Sequence, residues 1–396
     1  MSPGHSPAAT RPRLLDPDRL DAWLRRMPKT ALHVHLEGTL EPELAFTLAE
    51  RNAIEPGSPA FPYADLAALR AAYRFADLGA FLDVYYAACG VLRTADDFHD
   101  LARAYGDRVR AEGIRRAELF FDPQTHTRRG VGLSTVVRGL WSGLADARAH
   151  GVDVALIACF LRDAPVGHAD DPAAADAGFT DPAQATAWAT LRQVLEYNQR
   201  APADESILGV GLDSYETPYP PELFAAVFAR ARAAGLRCTA HAGEEGPPAY
   251  IRAAIDTLGV SRIDHGVRCT EDAALLERLA AVHDTPTVVA DFGEPHAIPL
   301  TVCPRSNYAL KVFPDPARSN LLTLLRAGVQ VCVNSDDPAY FGGYALENYR
   351  AVVDWLDPSF EELRQLARNG VHASWMPPAA KTTLLAEIDA WFAASP

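Results

Sequence analysis

No stretch of this 396-residue chain is apolar over the roughly 20 residues that a membrane-crossing helix requires, so nothing in it argues for a membrane partner. Lysine is scarce as well: Lys29, Lys311 and Lys381 are the only ones. With 37 basic against 51 acidic side chains the formal net charge is −14. That balance argues against a general nucleic-acid binder, because phosphate affinity comes mainly from clustered Lys and Arg. A small neutral ligand stays open. The cysteines Cys89, Cys159, Cys238, Cys269, Cys303 and Cys332 include no CxxC pair. Cys159, Cys238, Cys303 and Cys332 sit in apolar, strand-like runs, so buried reduced thiols in a cytoplasmic protein are expected rather than a disulfide framework. Residues 1–13 are rich in Pro and Ala without an apolar core, which reads as a disordered leader and not a signal peptide. Oligomeric state leaves no mark in the sequence.

What the chain does have is 48% hydrophobic residues, enough for one large core. Short runs rich in Val, Ile, Leu and Phe recur at 31–36, 116–122, 153–160, 207–213, 237–243, 262–266, 299–304 and 330–336. Most are separated by helix-length segments, which indicates parallel pairing. Little alternation within the runs indicates burial on both faces. Eight such runs point to an α/β fold of the (β/α)₈ TIM-barrel type, in one domain over 14–396. A doubly wound open sheet is the competitor; it fits less well because polar residues collect at the ends of many strands and not at one switch point. Residues 41–115 read as helices inserted after the first strand, with helical spacing at 63–74 and 78–92, placed to cover the barrel mouth. Residues 163–206, with the Ala- and Asp-rich run 170–177, and 283–298 read as further insertions. Helices are expected at 359–367, capped by Ser359, and at 381–394.

Four short motifs carry chemistry, and each has a bland alternative. In LHVHL, His33 and His35 alternate along a strand, so both imidazoles share one face and make half of a transition-metal site. Two satisfied core histidines would look the same. In CTAHAGE, His241 ends a strand as a third ligand and Glu244 opens the next loop as a general acid, with Gly243 allowing close backbone approach; a polar loop cap is the alternative. In RIDHG, His265 at the barrel mouth suits a residue that orients water and holds its proton, or a core histidine. In NSDDP, a metal on Asp336 would relieve the repulsion between adjacent carboxylates and leave Asp337 facing a substrate; an Asp-Pro turn is the alternative. All four fall at the C-terminal ends of expected strands, where barrel enzymes place their chemistry. A closed structural zinc site would more often use Cys.

Taken in order, KTALHVHLEG (29–38), HAGEEG (241–246), RIDHG and NSDDP resemble the adenosine and adenine deaminases, over most of the chain from about Pro28 to the C-terminal helices. The resemblance implies hydrolytic deamination of a 6-aminopurine. It implies one zinc ion per subunit, Zn2+, bound by His33, His35, His241 and Asp336. It also implies Glu244 as proton donor, His265 and Asp336 as handlers of the water proton, and Asp337 as partner of the purine N7. FDPQTHT (121–127), VGLDS (210–214), HGVR (265–268) and DDPAYFGGY (336–344) lean toward the branch that acts on the free base, giving hypoxanthine and ammonia in purine salvage. Glu37, and Gly211, Asp213 and Ser214 with Glu216 beyond them, are candidate substrate contacts; a solvated loop is the alternative for the last three. Arg305, Tyr215 and the length of 283–298 depart from that branch. Arg305 would favour a substrate larger than the base, such as adenosine, an N6-substituted adenine or an aminodeoxyfutalosine-type nucleoside, by meeting an anionic substituent. A non-catalytic purine-binding barrel would lack a ligand or the acid, and none is missing. Another metal-dependent barrel hydrolase would add a metal-bridging lysine at mid-chain, and none is there.

Overall fold

The computed structural model describes residues 11–163, 178, 181–280 and 298–394. The Ala- and Asp-rich run 170–177, the insertion 283–298 except its last residue, and the first ten residues of the expected leader lie outside this set. Arg11–Arg13 do not behave as part of a disordered leader: Pro12–Leu14 form a 3-10 turn, and the Arg11 guanidinium pairs with Asp357 at 2.7 Å.

Eight parallel strands run in sequence order: β1 (Lys29–Ala31), β2 (Ile114–Phe121), β3 (Asp153–Leu161), β4 (Ile207–Asp213), β5 (Arg237–Ala242), β6 (Arg262–His265), β7 (Leu300–Val302) and β8 (Val331–Val333). Helices lie between them, and the sheet curls into the (β/α)₈ barrel that the apolar runs predict. β3 is exposed only at Asp153, as a strand covered on both faces must be. The ring is closed where Val34 pairs with Asp336, while His35 pairs with Phe120 of β2 on the other side.

β1 differs from the expected 31–36. It ends at Ala31, and the backbone N–H groups of Leu32 and His33 both donate to the Asn334 side chain instead of to a neighbouring strand. Ladder bonding then resumes through Asp336 N to His33 O and Leu36 N to Phe120 O. The His pair therefore sits on a strand extension interrupted by a side chain, and β8 similarly stops at Val333, three residues short of Asp336.

Helices Pro42–Arg51, Leu66–Ala72, Leu78–Cys89 and Ala95–Ala111 fill the segment after β1. In the third, Asp77 caps the Ala80 N–H, and Leu78, Phe81, Leu82 and Tyr85 recur at helical spacing on the buried face, over the barrel mouth. Helix Ala95–Ala111 packs on Leu133–Ala149 at close range. A Cβ at Gly143 would stand 2.3 Å from the His99 carbonyl oxygen, so only glycine fits there. At the chain end, helix Phe360–Ala373 carries the expected Ser359 cap, its hydroxyl accepting from Glu362 N at 3.1 Å. Helix Pro378–Ala393 follows it.

Below the site, the barrel is plugged by charge. Glu118 of β2 and Arg262 of β6 are fully buried and meet at 2.6 Å. Glu118 also takes Arg116 at 3.0 Å and the Trp375 backbone N–H at 2.6 Å, while the Arg262 guanidinium stacks 4.2 Å from the Trp375 ring. Paired cations hold the Glu118 carboxyl below its usual range against the effect of burial. Removing one partner strands the other in a low-dielectric interior. Arg262→Met is expected to lower stability by about 3–5 kcal/mol, read as a shift of the denaturation midpoint; an unchanged midpoint would show that the plug adds nothing to stability.

Candidate active site

The C-terminal ends of six strands bring the polar residues of the motifs to one point. His33 and His35 come from the extension of β1, Asp122 follows β2, Asp213 ends β4, His241 lies in β5, His265 ends β6 and Asp336 follows β8. Three of these stations hold non-glycine residues in the left-handed region: Ser214 at φ 67°, His265 at φ 63° and Asp336 at φ 62°. Such backbone costs about 1–3 kcal/mol per residue and persists where the surroundings over-determine it. Here it turns each side chain from the strand direction into the mouth.

The imidazoles and Asp336 crowd one buried spot. Asp336 Oδ1 lies 3.2 Å from His33 Nε2 and 3.6 Å from His35 Nε2, and its Oδ2 lies 3.6 Å from His265 Nε2. His35 Nε2 and His241 Nε2 face each other at 3.3 Å. His33 Nδ1 sits 3.0 Å from Thr301 Oγ1 and 3.2 Å from its carbonyl oxygen. Thr301 Oγ1 donates to Asp264 at 2.9 Å, and Thr239 donates to the other Asp264 oxygen at 2.7 Å. The Thr301 hydroxyl is thus spent as a donor, so Nδ1 carries the hydrogen and the His33 Nε2 lone pair points at the cluster. No hydrogen bond reaches that nitrogen. Burial, reinforced by the other imidazoles, pushes His241 well below the usual histidine range, and burial pushes His265 to about 3. Neutral imidazoles are the form that binds metal. Burial raises Asp336, but the facing His33 ring outweighs it and lowers the carboxyl; at His35, burial lowers the ring, but Asp337 and Asp122 outweigh it and raise the ring above the usual histidine range. Converging lone pairs with one anion and one orphaned nitrogen suit a divalent transition metal.

On the rim, Glu244 Oε2 lies 3.4 Å from His265 Nε2. Asn307 spans the pair, with Nδ2 3.2 Å from Glu244 Oε1 and 3.1 Å from His265 Nδ1. Burial, with Asp336 and Glu216 nearby, raises the Glu244 carboxyl well above the usual range, which favours its protonated form. The loop that carries Glu244 is gripped by Glu216, whose carboxylate accepts the N–H groups of Gly243, of Glu244 at 3.0 Å, and of Glu245 and Gly246 at 2.9 Å. A Cβ at Gly246 would fall 2.4 Å from Glu216 Oε1, which explains the second glycine of HAGEEG. Buried Arg162 holds the other end of this turn by donating to the His241 carbonyl oxygen.

A narrow cavity opens above the cluster. His35, His241, Glu244, His265, Asp336 and Asp337 form its floor, and Asp213 and Ser214 form part of a side wall. Glu37 and Gly211 are not among its lining residues. Glu37 accepts from His126 Nε2 at 2.7 Å and from the Asp122 N–H at 3.1 Å. A Cβ at Gly211 would meet Cys159 Sγ at 2.5 Å, so that glycine answers a packing need inside the barrel. Arg305 is not at the mouth either: its half-buried guanidinium donates to the Phe341 carbonyl at 3.2 Å. Tyr215 packs at the start of helix Leu78–Cys89, where a Cβ at Gly79 would lie 3.2 Å from its hydroxyl. The residues sequence reasoning missed are Asp122, Asn307, Glu216 as loop holder, and the lid side chains Tyr85 and Tyr86. Tyr85 donates to Asp122 Oδ2 at 2.8 Å and Tyr86 pairs with Ser214 Oγ at 2.8 Å. FDPQTHT did contain Asp122, but nothing in that motif announces a carboxylate that faces the cavity.

The family model for adenosine deaminase matches residues 28–391. The chain is 46% identical to an adenine deaminase of Cupriavidus pinatubonensis over 94% of each chain. It is 47% identical to one of Streptomyces coelicolor, over 93% of this chain and 96% of the relative. Among solved structures, an adenine deaminase from Arthrobacter aurescens superposes with a TM-score of 0.79 at 44% identity, covering 92% of this chain and 99% of the other. An amidohydrolase from Burkholderia ambifaria with bound zinc superposes with a TM-score of 0.77 at 25% identity, covering 98% and 100%.

The grip of Glu216 has a direct readout. In Glu216→Ala the amides of 243–246 should exchange with solvent at least 10-fold faster than in the parent, because a charge-assisted hydrogen bond contributes about 1.5–3 kcal/mol. Equal protection in the two proteins, measured by hydrogen exchange, would mean that the carboxylate does not hold the turn.

Proposed function

The chain belongs to the adenosine deaminase family, and on that premise we propose that it hydrolyses the exocyclic amino group of free adenine, giving hypoxanthine and ammonia. The observation that carries this reading is the meeting of the Glu244 carboxyl with the His265 imidazole over a converging set of histidine nitrogens and Asp336. His33, His35, His241 and Asp336 would hold one zinc ion per chain, with the Nδ1 hydrogen of His33 anchored on Thr301. His265 also faces Asp336 and lies with His33, His241 and Asp336 as a possible ligand; we assign it to the water and not to the metal, since its Nε2 stands between Asp336 and the Glu244 carboxyl. Zinc in that position would act as a Lewis acid that makes water nucleophilic near neutral pH.

The chain's own groups do the rest. Glu244 donates its proton to ring nitrogen N1, which makes C6 electrophilic. His265, neutral because it is buried, accepts the proton that water gives up and holds it beside Asp336. Burial, with Asp336 beside it, raises the Asp337 carboxyl well above the usual range, so it can donate an O–H to the N7 lone pair. Leu78, Phe81, Leu82 and Phe341 give the ring an apolar wall and keep bulk water away. The larger-substrate reading loses its footing, since the Arg305 guanidinium turns to the Phe341 carbonyl and not to the cavity.

Glu244→Gln should retain bound zinc and its fold while turnover falls by about 10²–10⁴-fold or more. Near-parental ammonia release from that variant would remove Glu244 from the mechanism. His33→Ala should lose zinc along with activity, checked by elemental analysis of the purified protein. The reading as a whole is tested by ammonia release from adenine and adenosine side by side: adenine should be consumed and adenosine spared, and the reverse order would overturn it.

A further inference from the structure

We propose that Asp122 accepts the hydrogen bond of the five-membered-ring N–H of the free base, and so sets the preference for a base over a nucleoside. The inference rests on the reading of the chain as an adenine deaminase. Asp122 follows β2, is 2% exposed and lines the cavity. The residue is held at its backbone and at one carboxylate oxygen. The residue's own N–H donates to Glu37 Oε1 at 3.1 Å, and Oδ2 accepts from Tyr85 of the covering helix at 2.8 Å. The remaining oxygen, Oδ1, is buried and has no hydrogen-bond partner in the protein.

A buried acceptor left unmet is costly, and a donor from the ligand is what removes that cost. The His35 ring and the Asp213 carboxyl share its pocket, and neither forms a hydrogen bond with Oδ1. The nearest candidate, His35 Nδ1, is 3.9 Å from Asp122 Oδ1 and closer, at 3.6 Å, to Asp213 Oδ2, so Asp213 is the better orienting partner of that ring. The Tyr86 hydroxyl pairs with Ser214. With C6 over the histidine cluster and N7 toward Asp337, the other nitrogen of the five-membered ring lies at the far edge of the base. In free adenine the five-membered ring carries an N–H. In a nucleoside that hydrogen is replaced by a carbon of the sugar, which leaves the carboxylate unpaired and crowded. A site built to hydrogen-bond a substrate N–H rejects an analogue lacking it far more strongly than an apolar pocket rejects added bulk.

The test compares adenine with 9-methyladenine, which loses the N–H and gains one carbon. The parent enzyme should process adenine at least about 100-fold more efficiently. In Asp122→Asn, Tyr85 retains the amide oxygen and the amide N–H faces the base N–H, donor against donor. Its kcat/KM for adenine should fall about 10- to 100-fold at unchanged zinc content, while that for 9-methyladenine stays within a few fold. Product inhibition by hypoxanthine and by 9-methylhypoxanthine reads the same contact without turnover, and only the former should weaken in the variant. An Asn variant with parental efficiency on adenine, or with equal losses on both bases, overturns the assignment and leaves adenine deamination standing. Failure of the parent to release ammonia from adenine overturns the underlying reading, and this inference with it.

Discussion

The site depends on keeping several imidazoles neutral while one carboxylate stays ionised among them. His241 and His265 are held below the histidine range by burial, while Asp336 is lowered chiefly by His33 against burial and His35 is raised against burial by the carboxylates beside it. A protonated imidazole at any of these positions would repel the cation the others are arranged to hold. The barrel supplies what this requires: a dry mouth, a strand geometry that brings distant residues to one rim, and a polar column underneath. Thr301, Thr239 and Asp264 fix the lower edge of the rings, and Glu118 with Arg262 closes the interior below them.

The parts of this arrangement that one strand can encode were legible in the sequence. Alternation in LHVHL puts His33 and His35 on one face whatever the rest of the chain does, and eight apolar runs with helix-length spacers leave few folds to choose from. HAGEEG, RIDHG and NSDDP place one chemical group each at a strand end. Boundaries were less legible. β1 stops early because Asn334 takes two N–H groups that regular pairing would have used, and side-chain competition of that kind has no periodic signature. Contacts across the barrel were not legible at all. Glu37 follows the His pair closely enough to suggest a substrate contact, yet it turns to His126 and to the backbone of Asp122. Arg305 reads as a charge near the mouth and is spent on a carbonyl. Glu216 becomes meaningful only when β4 and β5 lie side by side and its carboxylate meets four successive amides.

The helix over the mouth joins packing to chemistry. Its apolar face, spaced at Leu78, Phe81, Leu82 and Tyr85, forms a wall of the cavity, and its two tyrosines reach the ends of β2 and β4. Tyr73 stacks on Tyr340 at 4.2 Å, which ties the preceding insertion to the loop after β8. Residues added between the first two strands have thus become part of the ligand enclosure, and the polar tips of the aromatic side chains fix where its carboxylates point.

The join between the first and last strands has a consequence for assembly. Val34 and Asp336 close the ring, and Asp336 is also one of the residues we propose to hold the cation, so hoop and clasp share a residue. A cation held there would tie the His33–His35 segment to the end of β8 at once, so the same ion would fasten the seam of the barrel and the site above it.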